Sequence, residues 1–458
     1  MKKQKVKDPE EITFRNALAH GDAATRLSAV IMGAGNFAHK RIGKGIMYLA
    51  VEVLFILFMV ELGAGFLKGL VTLGTNKGGQ VWNDAKQVYE YTSGDNSMLF
   101  LLYGTFTLFV IFFFVLAWAD GLRSAYKSQV YAAHGRHLNT FGEDLRSAFD
   151  ANLYKFLLSG PIVCVFAFTI IPLVFMALIA FTNYDQNHQP PGSLFHWVGM
   201  KNFAAMLSSE NGLGYAFWHI LGWTIVWAIF ATFLNYIFGI ILALIINRRD
   251  TKLKSLWRFI FVLSIAVPQF VSLLIMRTML QPDGAVNVLL KNAGLIQRSL
   301  PFWTNATWAR VTVIVINLWV GIPFTMLQVT GILQNIPKEL YEAAEMDGAG
   351  PMTIFFKITM PYILFVTTPY LITSFVGNIN NFNVIYLLTG GAPVSMAYNN
   401  GTAGKTDLLV TWLYKLTIDK KNYNYGAVIS ILVFIISAAF SLIALNKSKV
   451  LDNEEAFQ

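Results

Sequence analysis

One cysteine in 458 residues leaves nothing for it to pair with, so an intrachain disulfide is excluded; Cys164 sits inside an apolar run. Charge is scarce as well. Only 13% of residues are Asp, Glu, Lys or Arg, 55% are apolar and the mean hydropathy is +0.51, a balance foreign to soluble globular chains. The seven histidines are scattered, and neither His134 with His137 nor His188 with His196 has supporting Cys or acids at ligand spacing, so no metal is expected. Residues 399–406 imitate a phosphate-binding loop but open on Asn399 where that motif needs glycine, and Gly33-Ala34-Gly35 follows no strand. With no nucleotide site and no catalytic dyad or triad, the chain is expected to need no cofactor and to be no enzyme. The first apolar run follows about 45 residues of mixed charge with no small-residue cleavage site, so no removable signal peptide is expected.

What is present is apolar sequence in long runs. A bilayer core of about 30 Å takes about 20 helical residues, and eight runs suffice, near 46–67, 98–119, 156–181, 215–247, 257–280, 307–334, 362–388 and 426–446. The expected fold is an all-α integral membrane protein with eight transmembrane helices. About 23 of the 35 Lys and Arg fall in the tails and in the loops after the second, fourth and sixth runs, against about 10 in the alternate loops. Both termini are therefore expected in the cytoplasm. The net charge of +9 gathers beside spans, as in Arg248-Arg249-Asp250-Thr251-Lys252, so membrane orientation accounts for it and nucleic acid is not an expected partner.

Residues 1–150 read as a cytoplasmic tail plus a two-helix membrane extension, 151–446 as a six-helix core, and 447–458 as a cytoplasmic C-terminal tail. The stretches 9–18 and 22–32 are amphipathic, suited to a membrane surface. The loop holding Lys77-Gly78-Gly79 is Gly-rich. The loop between the third and fourth runs is about 33 residues long, too short for a folded domain of its own.

Two spans carry polar faces. In the seventh, Ser374, Gly377, Asn378 and Asn381 fall at i, i+3, i+4 and i+7, which places them on one side of a continuous helix. Amides offer donors and acceptors to sugar hydroxyls, although intramembrane Asn also serves to hydrogen-bond neighbouring helices. In the sixth, Asn317, Gly321, Phe324 and Gln328 make a second wall, with Pro323 disturbing the backbone between them. The spans flank a loop, 336–361, in which Pro337 opens a short helix, Gly348 ends it and Gly350-Pro351 begins another. Glu339, Glu342 and Glu345 form an acidic edge there. An ion-coupled secondary transporter is the rival reading, but the ionisable groups in spans, Glu52, Glu61, Arg277 and Arg310, lie mostly near interfaces.

Glu342-Ala343-Ala344, Asp347-Gly348-Ala349, Phe356, Ile358 and Pro361 resemble the coupling loop of permease subunits in ABC importers. Asn317 to Phe324, Ser374 to Phe382 and Thr406 to Val410 resemble, more narrowly, the larger permease subunit of maltose/maltodextrin importers. The resemblance implies the type I ABC importer membrane domain in a bacterial plasma membrane. It implies that Glu342, Ala343, Ala344, Asp347 and Gly348 dock on a cytoplasmic ATPase, and that Val320, Gly321, Phe324, Ser374, Gly377, Asn378 and Asn381 hold an oligosaccharide. Implied partners are a second permease subunit, two ATPase subunits and an extracellular solute-binding protein, with membrane lipid around them. Phe324 stands where that pattern has Tyr, and Gly377 where it has Phe, which leaves a galacto-oligosaccharide or similar sugar as the alternative.

Overall fold

The structure is a computed structural model and describes residues 12–248 and 250–448. The C-terminal tail beyond 448 and the start of the first amphipathic stretch lie outside the described residues. The chain divides into two compact units, Met1–Trp197 and Val198–Gln458. By packing, the third apolar helix belongs to the first unit, whereas the sequence pattern groups it with the spans that follow.

The first unit contains three helices long and apolar enough to cross a membrane, Ile42–Thr72, Ser97–Ala133 and Leu153–Ile179. Its amphipathic segments fold as short helices with ordinary caps: the Thr13 hydroxyl accepts from the Asn16 N–H, and the Asp22 carboxylate from the Thr25 N–H. Ala17 packs into a small core with Leu122, Tyr126 and Val130 near the end of the second spanning helix. The Gly-rich loop is not wholly irregular, because Gly79–Asn83 pairs antiparallel with Val88–Thr92. This hairpin is the one sheet among the described residues, beside two isolated β-bridges, Thr182 with Trp197 and Val394 with Gly404.

In the second unit four more helices suffice to span: Gly212–Asn247, Ala306–Asn335, Pro351–Ile379 and Tyr423–Ser448. The fifth expected span is not continuous. It breaks into Lys254–Ala266 and Gln269–Met279, bent by 86°, because Pro268 pushes Val267 into extended backbone (φ −77°, ψ 126°). Side-chain register shows that this broken pair carries the chain across. The Arg310 guanidinium lies 4.6 Å from the Trp223 ring, Asn235 faces Gly321, Gly239 faces Thr325, and Asn247 Nδ2 donates to Thr330 at 3.0 Å. Both numbers of each pair rise together, so the helices Gly212–Asn247 and Ala306–Asn335 run parallel. Parallel spans require one crossing between them, and among the described residues only the broken pair is long and apolar enough to make it. Among the described residues, seven helices long and apolar enough to span and one broken pair give the expected eight.

The seventh expected span, 362–388, is also interrupted. The helix Pro351–Ile379 ends there, and Asn381 caps a separate helix, Phe382–Leu388, by accepting from the Val384 N–H at 3.2 Å.

Glycines let the two parallel helices approach. A Cβ on Gly321 would lie 2.3 Å from Asn235 Nδ2, and one on Gly239 would lie 2.5 Å from Thr325 Cβ. Each helix thus offers a glycine to the other's polar side chain, a close backbone approach of the kind small residues permit in membranes.

Candidate functional site

A cavity of about 360 Å³ opens within the second unit, walled by four spans. Asn317, Val320, Gly321 and Phe324 come from the sixth, and Tyr370, Ser374 and Asn378 from the seventh. The fourth adds Asn235, and the broken fifth adds Ser264, Gln269 and Ser272 on either side of Pro268. No Asp, Glu, Lys, Arg or His is among the lining residues. Such a surface offers hydroxyls, amides and aromatic faces but no formal charge.

The cavity brings some of the expected residues together and leaves others outside it. Val320, Gly321, Phe324, Ser374 and Asn378 line the cavity together. Gly377 does not; it is exposed, and a Cβ there would meet nothing within 4 Å. Asn381 is not on the cavity wall either, because the single helical face that would have put it there ends with the helix at Ile379. Gln328, a candidate of the same wall, lies outside the lining with its Oε1 buried and unpartnered.

Asn378 serves two purposes. Its Nδ2 donates to Thr232 Oγ1 at 2.9 Å, and its Oδ1 accepts from Asn381 Nδ2 at 3.3 Å. An amide has two donors and two acceptor positions, so half its capacity ties helices and half is left for a ligand. Asn235 has a sharper need. Its Nδ2 donates to the Ala231 carbonyl at 2.6 Å, but its Oδ1 is buried with no partner. An orphaned buried acceptor costs about 1–3 kcal/mol, which a donor entering the cavity would recover. Gly321 leaves room for Asn235 rather than directly for a ligand. Phe324 is 6.0 Å from the Tyr370 ring, and Tyr370 brings a phenol to the wall on which Phe324 has none. Pro323 withholds the N–H that would otherwise bind the carbonyl of Trp319, another lining residue.

Sequence reasoning missed Asn235, Tyr370, Ser264, Gln269 and Ser272. Two signals existed: a lone Asn within an apolar run, and a proline in the middle of a span. Neither says which residues meet.

Gly321→Ala is expected to push Asn235 aside and lower the thermal stability of the purified subunit by about 1–3 kcal/mol, as overpacking does. Pairing it with Asn235→Ala should restore most of the loss. Thermal unfolding of the two variants checks this, and an unchanged single variant would remove the steric argument.

The loop helix Lys338–Met346 lies between the sixth and seventh spans, with Pro337 at its N-cap and Asp347 at its C-cap. Gly348 (φ +75°) follows in the left-handed region, its N–H bonding the Glu345 carbonyl while the Ala349 N–H bonds that of Ala344. This is the paired-bond C-terminal cap that glycine makes easy. Glu342, Ala343, Asp347 and Gly348 are exposed and Ala344 half-buried. Among the described residues no cation lies within ion-pair distance of Glu339, Glu342 or Glu345. Met346 is 88% exposed beside them. The Tyr341 hydroxyl meets Thr359 Oγ1 at 3.2 Å, fastening the loop helix to the start of the seventh span. Phe324 stands about 16 Å of helix away from Asn335, at 1.5 Å per residue.

A second fastening closes the loop between the last two spans. Asp407 is fully buried, with Lys415 Nζ at 2.6 Å, the Gly404 N–H at 2.7 Å and Thr411 Oγ1 at 2.9 Å. Burial pushes the Asp407 carboxyl above the usual carboxylate range, opposed by Lys415 and these donors.

Residues 235–449 match the family model described as a binding-protein-dependent transport system inner membrane component. The chain is 35% identical to the maltodextrin transport system permease protein MdxF of Bacillus subtilis, over 94% of this chain and 96% of that one. It is 36% identical to the galactooligosaccharides transport system permease protein GanP of the same organism, over 92% and 97%. A bacterial alginate ABC transporter, solved with an alginate pentasaccharide-bound periplasmic protein, has a chain of similar fold: TM-score 0.54 and 22% identity over 67% of this chain and 96% of that one.

Proposed function

Because the chain belongs to the permease subunits of binding-protein-dependent ABC importers, we propose that its cavity is the membrane station for a neutral oligosaccharide of the maltodextrin type. The observation that carries this is the lining: an orphaned amide acceptor at Asn235, further polar groups at Asn317, Ser374 and Asn378, two rings at Phe324 and Tyr370, and no charge. Hydroxyls satisfy such amides, and rings stack on the apolar faces of sugars. At about 360 Å³ the space falls at the lower end of ligand pockets, which run roughly 300–1,000 Å³.

The exposed helix Lys338–Met346 is the surface that an ATPase engages, with Glu342 facing a cation there. Its attachment through Ile336 and through Tyr341 to both cavity-bearing spans supports a mechanical route from ATP to sugar. In this reading 151–446 is the transport core, and a second permease completes the pathway. Two cytoplasmic ATPases hydrolyse ATP, and an extracellular binding protein delivers the sugar. The even number of spans and the distribution of Lys and Arg both support two cytoplasmic termini in a bacterial plasma membrane. The galacto-oligosaccharide reading draws on a relative of nearly equal identity.

The test is uptake of labelled maltotriose into liposomes carrying the complete importer, its binding protein and internal ATP. Uptake should require ATP, and unlabelled maltodextrins should compete at least tenfold better than galacto-oligosaccharides. The reverse order of competition would establish the second sugar. Uptake driven by an ion gradient without ATP would overturn the mechanism.

A further inference from the structure

Far along the chain from the sugar cavity, the first unit holds a second cavity, of about 480 Å³, whose chemistry is the opposite. Arg41, Lys44, Arg123, Lys127 and Lys155 all line it, against two carboxylates, Asp120 and Asp144. Five cations against two anions leave a formal excess of three positive charges. The carboxylates are already engaged. Asp144 is shared between Arg41 and Lys44, and Asp120 accepts from the Tyr48 hydroxyl at 2.7 Å. Lys127 and Lys155 lie over ring faces, 5.1 Å from Tyr131 and 5.7 Å from Tyr154, with no carboxylate at ion-pair distance among the described residues. Arg41 is 9% exposed, and its Nε has no acceptor.

Charges that merely orient a membrane protein fan out into water, where repulsion is screened. Here they come from separate segments and converge on one concavity. Arg41 and Lys44 stand at the start of Ile42–Thr72, Arg123 and Lys127 in the last turns of Ser97–Ala133, and Lys155 at the start of Leu153–Ile179. Alternate spans put those three ends on the same side. Asp120 closes the apolar part of the second helix, so Arg123 and Lys127 lie about 5 and 10 Å beyond it. The headgroup layer is about 5–8 Å deep per leaflet. Ser147 and Asn152 add hydrogen-bonding groups to the wall, while Ile46, Leu157 and Leu158 on the same helices stay exposed as lipid-facing surface.

We propose that this cavity binds the phosphodiester headgroup of an anionic phospholipid, with acyl chains laid along the exposed apolar faces of the first and third spans. Phosphate oxygens match the cations, and the location at helix ends selects a lipid over a soluble anion. The assignment rests on the membrane spans alone and stands or falls separately from the sugar reading.

A photoactivatable phosphatidylglycerol in nanodiscs carrying the assembled importer tests it, with crosslinks mapped to peptides of this chain. Labelling should fall on segments around Lys44, Lys127 and Lys155 and be competed by phosphatidylglycerol but not by phosphatidylcholine. Each lysine near an anionic headgroup contributes about fivefold in binding, so the double variant K127Q/K155Q should lose about twenty-five-fold. These two side chains are exposed, so the fold should survive. The equally charge-depleted K68Q/K77Q should stay within about twofold of wild type. Undiminished labelling of K127Q/K155Q, or an equal loss in K68Q/K77Q, would overturn the site. Displacement by inorganic phosphate as effective as by phosphatidylglycerol would make it a pocket for a free anion and overturn the lipid assignment.

Discussion

A Glu342→Lys subunit should enter the membrane and assemble with its partners, yet lose ATP-driven sugar uptake by about thirtyfold or more. The fold has no stake in this carboxylate: Glu342 is exposed and has no ion-pair partner among the described residues. The helix around it is held instead by the cap at Gly348 and by Tyr341 on Thr359. In the proposed complex Glu342 meets a cation of the ATPase, and disrupting a desolvated charge pair costs about 2–5 kcal/mol. At about 1.4 kcal/mol per decade, that spans about thirtyfold to several thousandfold. Uptake and ATP hydrolysis measured in the same liposomes check it. Wild-type uptake would remove Glu342 from the coupling surface, and failure of the subunit to reach the membrane would show that its role is structural.

The second large effect belongs to Asp407. Its replacement by Leu should destabilise the subunit by about 3–5 kcal/mol, the usual cost of stripping one partner from a buried charged pair. The Lys415 ammonium and the Gly404 N–H would lose this acceptor, and the Thr411 hydroxyl would keep only the Leu408 carbonyl. Gly391 backs directly onto the carboxylate: a Cβ there would lie 2.2 Å from Asp407 Oδ1. Asp407→Asn keeps an acceptor and should lose much less. Adding Lys415→Leu to Asp407→Leu should recover part of the loss, since paired deletions in one network are not additive. Thermal unfolding and membrane abundance are the readouts, and a stable Asp407→Leu subunit would show the clamp to be dispensable.

The spans were legible because the signal for them is length and apolarity, which no tertiary contact can reverse. The loop helix was legible for a similar reason: Pro337 and Gly348 fix its ends locally. Interruptions inside spans were harder. Pro268 was visible in the fifth, but an apolar run containing proline reads equally as a kinked helix, and the 86° bend comes from Val267 adopting extended backbone. Asn381 matched a helical face, yet its side chain caps the next helix instead, since a capping bond to Val384 competes with continuing the turn. Gly321 lines the cavity, but the space beside it holds Asn235. Periodicity identifies a small residue on a face but not the Asn235 side chain that fills the space. The cationic cavity was illegible for a different reason: its charges are distant in sequence and each looks like an ordinary flanking residue until three helix ends meet.

The reciprocal fit of Asn235 over Gly321 and Thr325 over Gly239 limits how the importer can move. Two teeth in two notches prevent either helix from sliding axially past the other without first separating. These contacts do not oppose tilting of the two helices together, and their far ends near Asn247 and Thr330 are joined by a hydrogen bond. In the proposed mechanism a stroke at the loop helix would therefore reach the cavity as a tilt of the two helices together, not as a slide of one past the other.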